Sequence, residues 1–342
     1  MCLKANRLKP FTATKDIRVF KALKKADSGY VTLYQETPVN LNTMFEPSKM
    51  RTYESLNWGD SGHKTFVSIE DGYIHAFIDK KYLDLNNIND NIVFVEAIIP
   101  CGTSYHIGTN MLTVCAEKLF ITDKFVKYDD LRLSREEKMT IVKPLFDEIT
   151  NNGVSSGWLL KSDKTFVSPS DYDENMKDDI IGIVGFNKDG EKYVLSLEQT
   201  EKTWNGSDDS YELLNKSVSY EEAYDDYNGK EYTDNVKDAV GKNEKELPAF
   251  RYCLEYQTKG TEKGDWYLPA CGELHEAICK HQLEINAVLW VCSYGVSVNT
   301  YRYYWSSSEY SSNYARYVST GNGSVDYLNK YGSNYVRAFL RV

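Results

Sequence analysis

The sequence predicts an α+β protein: a separate β-rich N-terminal module at 1–125, a helix and connector at 126–178, and a mixed strand-and-helix domain at 179–342. Three observations lead there. Short apolar runs separated by turn residues fill the first part, a helix-capping pattern begins at Ser134, and a strand–turn–strand pattern reopens at Ile180. A chain of 342 residues is long for a single core, which makes more than one domain the natural expectation.

In the first module the strand signals are Ile17-Arg18-Val19-Phe20, Thr65-Phe66-Val67-Ser68-Ile69, Tyr73-Ile74-His75-Ala76-Phe77, Ile92-Val93-Phe94-Val95-Glu96-Ala97-Ile98-Ile99 and Lys118-Leu119-Phe120-Ile121. Gly, Asn and Pro clusters separate them. Ser134 with Glu137 three residues later is a capping box, and Met139, Ile141, Val142 and Leu145 supply the apolar positions of the helix it opens. Pro144 lacks the backbone N–H a helix interior uses and is expected to kink or shorten that helix. Residues 151–179, rich in Gly, Ser, Asp and Asn, read as a connector with little core. Two apolar runs flanking Asn187-Lys188-Asp189-Gly190 predict a hairpin, and the acidic stretch 207–238 predicts a solvated excursion with a short helix. After Trp266-Tyr267-Leu268-Pro269, residues Leu274, Ala277, Ile278 and His281 fall on one helical face, His281 as a hydrogen-bonded packing residue.

Composition excludes several classes of function. A net charge of −10 repels a phosphate backbone, so no nucleic-acid partner is expected. No run approaches the ~20 apolar residues of a membrane helix, so no membrane insertion is expected. Nor does Met1-Cys2-Leu3-Lys4-Ala5-Asn6 resemble a secretory signal. Location stays open between virion, cell surface and cytoplasm. The seven cysteines, Cys2, Cys101, Cys115, Cys253, Cys271, Cys279 and Cys292, contain no Cys-x-x-Cys pair and read as reduced thiols rather than a disulfide framework, a zinc site or a Cys271–Cys292 redox pair.

No catalytic residue, metal or cofactor is expected. The histidines His63, His75, His106, His275 and His281 are scattered, and no Ser-His-Asp order or phosphate loop occurs. The run from Gly72 to Phe77 reads as a half-buried strand rather than an N-terminal active site. Trp204-Asn205-Gly206 lacks the third oxygen ligand of a calcium-dependent lectin motif. Asp226-Tyr227-Asn228-Gly229 matches the middle of an EF-hand loop, but Tyr224 and Asn235 stand at its first and last ligand positions.

The C-terminal stretch carries most of the information. Residues 294–335 contain ten Tyr, nine Ser, five Asn and four Gly, two-thirds of the 42 positions. Binding loops favour this mixture, because Tyr offers large amphipathic contact area at low entropic cost while Ser, Asn and Gly adapt their polar contacts. A flexible linker has a similar composition, but alternation argues against it. A hairpin centred on Gly321-Asn322 or Asn322-Gly323 would put Val318 and Val325 on one face and Tyr317, Ser319, Ser324 and Asp326 on the other.

At this point three motifs carry a family resemblance. They are Gly264-Asp265-Trp266-Tyr267-Leu268-Pro269-Ala270-Cys271-Gly272-Glu273-Leu274, then Tyr303-Tyr304-Trp305-Ser306-Ser307-Ser308-Glu309-Tyr310-Ser311-Ser312, and the ending Tyr335-Val336-Arg337-Ala338-Phe339-Leu340-Arg341-Val342. Over about 178–342 the chain resembles the variable proteins of diversity-generating retroelements, which occur in phages and mobile elements. The resemblance implies a C-type-lectin-like domain that displays a hypervariable ligand-binding surface, a device for tropism. Its partner would be a protein or glycan on a cell or particle surface, and a homo-oligomer would raise avidity.

In that family adenines are the mutated bases, and Asn codons are the usual targets. Changing the two adenines of AAC yields Tyr, Ser, Asp, Gly, Arg, Leu, Val and others, but never Lys, Glu, Trp, Met or Gln. The candidate surface is therefore Asn299, Tyr301, Tyr303, Tyr314, Tyr317, Ser319, Asn322, Ser324, Asp326, Tyr327, Asn329, Tyr331 and Ser333, with Leu328 nearby, while Trp305, Glu309 and Lys330 belong to fixed scaffold. Scaffold roles also fall to Trp266, Leu268, Glu273, Leu274, Arg337 and Phe339. The competing reading is a fixed-specificity carbohydrate-binding lectin or adhesin, and an enzyme in the N-terminal module is held in reserve.

Overall fold

The apolar runs of the N-terminal part become strands in the computed structural model, which describes residues 3–5, 9–33, 36–46, 67–69, 74–81, 91–206, 217–241 and 246–342. Cys2, His63, Gly72, Tyr73, the start of the 65–69 run and the first part of the 207–238 stretch lie outside the described residues. The strands here are β1 (Leu3–Ala5), β2 (Phe11–Thr12), β3 (Ile17–Ala26), β4 (Gly29–Thr32), β5 (Pro38–Val39) and β6 (Thr43–Phe45). They continue with β7 (Val67–Ile69), β8 (Ile74–Phe77), β9 (Ile92–Ile99), β10 (Ser104–Ile107), β11 (Thr113–Ala116) and β12 (Leu119–Val126). Eight of them run in the order β2-β10-β11-β8-β3-β9-β12-β6, β4 and β5 extend from β3, and β1 pairs β7 separately. The long β3–β9 ladder sets the centre, with Val19, Phe20, Leu23, Val95, Ala97 and Ile99 buried. All of this belongs to a compact unit drawn from residues 1–147, and a second unit comes from residues 148–342.

Helix α1 (Arg135–Asn151) starts at the predicted capping box: the Ser134 N–H donates to the Glu137 carboxylate at 2.7 Å, and the Glu137 N–H donates to the Ser134 hydroxyl at 3.2 Å. It passes through Pro144 instead of ending there. Ile141, Val142, Leu145 and Phe146 are buried on one stripe, and that burial carries the helix across the one hydrogen bond proline removes.

The stretch 151–179 holds more core than its composition suggests. It forms β13 (Leu159–Lys161) and β14 (Phe166–Val167), and it buries Leu159, Leu160, Ser168 and Tyr172. Apolar pairs this short show no periodicity, so the flanking Gly, Ser and Asp residues masked them.

The predicted hairpin is β15 (Ile180–Lys188) and β16 (Glu191–Ser196), with Asp189 at φ 52° and Gly190 at φ 88° supplying the left-handed pair that a two-residue turn requires. Strands β17 (Thr200–Thr203), β18 (Tyr303–Glu309), β19 (Tyr314–Ser319), β20 (Val325–Asn329), β21 (Ser333–Val336) and β22 (Phe339–Arg341) complete two five-stranded sheets. Their orders are β14-β13-β15-β16-β22 and β17-β21-β18-β19-β20. The helices are α2 (Tyr220–Ala223), α3 (Gly229–Gly241), α4 (Pro248–Glu255), α5 (Cys271–Leu274) and α6 (Gln282–Cys292).

The described part of the acidic excursion is firmer than expected, because α3 buries Tyr232, Val236 and Val240, the two valines in the core that holds Trp204, Trp266, Trp305 and Phe250. The helix expected around Leu274 is interrupted by a π-helical turn, His275–Lys280. Leu274, Ala277 and Ile278 are buried, while His281 ends that turn half-exposed, 3.6 Å from Glu276. The protein is thus a sheet-rich α+β molecule with several antiparallel sheets. Among the described residues no helix is long and apolar enough to cross a membrane.

Candidate functional site

The Tyr/Ser-rich tract forms β18, β19, β20 and most of β21, four neighbouring strands of the second five-stranded sheet. β18 and β19 are antiparallel, β19 and β20 form the outer hairpin, and β20 is the edge. In the hairpin Val318 pairs with Val325, both fully buried, and Tyr317 pairs with Asp326. This register centres the turn on Gly321-Asn322, with Gly323 at φ 77° closing it through its N–H to the Ser319 carbonyl at 2.8 Å.

The candidate residues do not share one face. Because side chains alternate along a strand, Tyr317 and Asp326 project to one side of the hairpin, and Arg316 and Tyr327 to the other. On the first side Tyr303 and Tyr317 pack ring to ring at 4.6 Å. Burial, with Asp326 and Tyr303 beside it, pushes the Tyr317 phenol up to about 12, so at neutral pH it presents an uncharged hydroxyl. On the second side Tyr327 stacks on Tyr310 at 4.2 Å and meets Tyr314 edge-on at 5.5 Å. The Arg316 guanidinium lies 4.6 Å from the Tyr310 ring centre.

The remaining candidates occupy loops. Asn322 and Ser324 form the hairpin tip, where the Asn322 side-chain oxygen accepts from the Ser324 N–H and hydroxyl at 3.1 and 2.8 Å. Asn299 and Tyr301 precede β18, and the Asn299 N–H donates to the Tyr304 hydroxyl at 3.0 Å. Asn329 and Tyr331 shape the turn between β20 and β21, while Ser333 opens β21 opposite Thr203.

Ser319 departs from the expected display. It is only 6% exposed, because it pairs with Tyr303 and its hydroxyl turns under the loop to accept the Gly321 N–H at 3.3 Å. Tyr310, Val296 and Arg302 were not among the candidates, yet Val296 and Arg302 are exposed and Tyr310 joins the aromatic cluster; Leu328, expected nearby, is exposed as well. The β18–β19 register shifts between Trp305 and Glu309, so no alternation pattern could have aligned Tyr310 with Tyr327.

Beneath these side chains lies a polar layer. Lys330 and Glu309 form a buried ion pair, and the Lys330 ammonium also donates to the Ser312 carbonyl at 2.9 Å and sits 4.7 Å from the Trp204 ring centre. The Trp305 indole N–H donates to the Lys202 and Gly332 carbonyls. Ser306 donates to the Arg316 carbonyl at 2.8 Å, and Ser308 donates to Asp226 at 2.6 Å. Asp226, which stands within the partial calcium-loop pattern, commits its carboxylate to Ser308 and Asn228. Among the described residues no group of three or more His, Cys, Asp or Glu is arranged to hold a metal. The buried thiol of Cys271 lies 3.1 Å from the Ser306 hydroxyl, and burial pushes it up to about 12, which keeps it protonated and unreactive.

No protein-family profile matches the chain, and no curated protein matches it. Among solved structures it has a distant likeness to a fimbrial protein from Bacteroides ovatus, with a TM-score of 0.41 and 13% sequence identity, covering 95% of this chain and 71% of that one.

Proposed function

We propose that residues 179–342 form a non-enzymatic ligand-display domain with a C-type-lectin-like scaffold and a diversified surface, as in the variable proteins of retroelements. The supporting observation is how residue types sort by exposure across 294–335. The three residues there that no adenine change in AAC can produce, Trp305, Glu309 and Lys330, are 0%, 1% and 2% exposed. The exposed positions carry Tyr, Asn, Asp, Ser, Leu, Val, Arg and Gly, with no Lys, Glu or Gln. Ordinary surfaces are rich in Lys and Glu, so this surface is depleted in the residues that solubility alone would select. A rule that acts on codons explains the depletion, and burial explains which positions are spared.

The ligand is then a protein or glycan on another cell or particle, held by exposed tyrosines. Sequencing the 3′ end of the gene across its source population tests the proposal. Adenine-directed changes at the codons of Tyr301, Tyr303, Tyr314, Tyr327 and Tyr331, with Trp305, Glu309 and Lys330 constant and a template copy nearby, are expected. An invariant end without a template would overturn diversification and leave a fixed lectin or adhesin.

A further inference from the structure

The stretch 296–302 leads into β18 and carries the exposed Tyr301, and although it forms neither helix nor strand its backbone is bound along its length. The Val296 N–H donates to the Leu197 carbonyl at 2.7 Å. Asn286, fully buried on α6, accepts the Val298 N–H on its side-chain oxygen at 2.7 Å and donates its side-chain N–H to the Val298 carbonyl at 3.1 Å. The Asn299 N–H donates to the Tyr304 hydroxyl at 3.0 Å. Thr320, also fully buried, accepts the Arg302 N–H on its hydroxyl at 2.9 Å and donates its own N–H to the Arg302 carbonyl at 2.9 Å.

The Tyr304 hydroxyl is itself held from outside the tract. It donates to the side-chain oxygen of Gln199 at 2.8 Å, and the fully buried Arg337 guanidinium lies 3.5 Å from that same oxygen while donating to the Ser196 carbonyl at 2.8 Å. A relay therefore runs from a buried cation through Gln199 and Tyr304 to the backbone of Asn299. Every one of these bonds to the stretch takes a main-chain N–H or carbonyl, and none uses the side chain of Asn299, Thr300 or Tyr301. Between the bonds at Asn299 and Arg302 stands Tyr301 at φ 59°, a conformation that a tyrosine keeps only where its surroundings over-determine it.

We propose that Asn286 and Gln199 are positioning residues of the display surface: without forming part of it, they hold the backbone of 296–302 in the shape that presents Tyr301, independently of the side chains at 299–301. This rests on the display reading above and deepens it, because both residues lie outside 294–335 and stay in place under every variant written into the tract.

Hydrogen exchange of single backbone amides in the full chain tests it. Asn286→Leu is expected to speed exchange at Val298, and Tyr304→Phe at Asn299, by roughly tenfold or more, with the β15 and β16 amides unchanged. Gln199→Met, which takes away the acceptor that orients the Tyr304 hydroxyl, should speed Asn299 several-fold, and Gln199→Glu, which keeps an acceptor oxygen there, should restore the parent rate. The double variant N299S/Y301S should leave both amides within about twofold of the parent. A uniform rise across the domain, a Gln199→Glu rate equal to that of Gln199→Met, or a rise in N299S/Y301S as large as in the pin variants overturns the proposal. If Asn286→Leu does not fold, the Tyr304 and Gln199 variants decide. No ligand enters the measurement, so the two readings fail separately: local loss of protection with an invariant gene end sinks only diversification, and a diversified end with uniform or absent loss sinks only the positioning role.

Discussion

Strands β18 and β20 come from one Tyr/Ser-rich tract and one sheet, yet they meet solvent in opposite ways. β18 is buried after its first residue, Tyr303, whereas β20 is largely open after its first residue, Val325. Position in the sheet makes the difference: β18 has β19 and β21 on either side, and β20 has a single neighbour. A serine in this tract is therefore either part of a buried polar core or open to solvent, and composition alone does not say which. Binding-loop chemistry and core chemistry are drawn here from the same few residue types.

The comparison breaks hardest at Lys330, which joins the end of the edge strand to Glu309 at the end of the inner one. Lys330→Ala leaves the Glu309 carboxylate buried without its counter-charge and is expected to cost about 3–5 kcal/mol of stability by urea unfolding. A loss under about 1 kcal/mol would show that the inner and outer strands are not coupled through this pair. The next test pits serine against serine. Ser306→Ala removes a buried hydroxyl bonded to the Arg316 carbonyl and the Ser308 N–H and should cost about 1–3 kcal/mol, while Ser324→Ala at the hairpin tip should stay within about 0.5 kcal/mol. Similar losses at both would erase the distinction between the two strands.

Binding sharpens the same contrast. Tyr327 is 43% exposed and held between Tyr310 and Tyr314, so it meets a ligand with its ring already placed. Tyr327→Ala is expected to weaken a bound ligand by about 1–3 kcal/mol in a calorimetric titration, and Tyr317→Ala should do the same if the opposite side of the hairpin also engages. Loss at only one of the two would say which side faces the ligand. Unchanged affinity in both would remove the hairpin from the site.

Much of the fold was legible in the residues, where local chemistry alone decides the outcome. The Ser134–Glu137 cap, the Asp189-Gly190 turn and the β9 run all reappear, because a cap, a left-handed turn and an alternating strand need only their own residues. What stayed hidden depends on partners far along the chain. Leu159 and Leu160 look like connector until β15 is set beside them, and Pro144 looks like a break until the buried face of α1 is seen. At the candidate site, alternation put Val318 and Val325 on one face, while the choice between the two turn centres, which makes them direct partners, came from the fold. The division of tyrosines between two faces, the stacking of Tyr310 on Tyr327 and the turning-in of Ser319 came from a register shift and a loop closure that no periodicity records.

The smallest expected effect has the opposite sign and tests the loop before β18. Tyr301 is 63% exposed and held at φ 59°, the left-handed region that costs a tyrosine backbone strain and that Asn adopts far more readily. The conformation at this position suits Asn, the residue whose codon a diversifying system would start from, so the tyrosine is carried at a cost in stability. Tyr301→Asn is expected to raise stability by about 0.5–1 kcal/mol in thermal unfolding while weakening any ligand that uses the ring. A stability gain with unchanged affinity would make Tyr301 a tolerated passenger. A stability loss would mean that its ring packs against neighbours strongly enough to outweigh the strain, and the loop before β18 would then belong with the inner strand rather than with the edge.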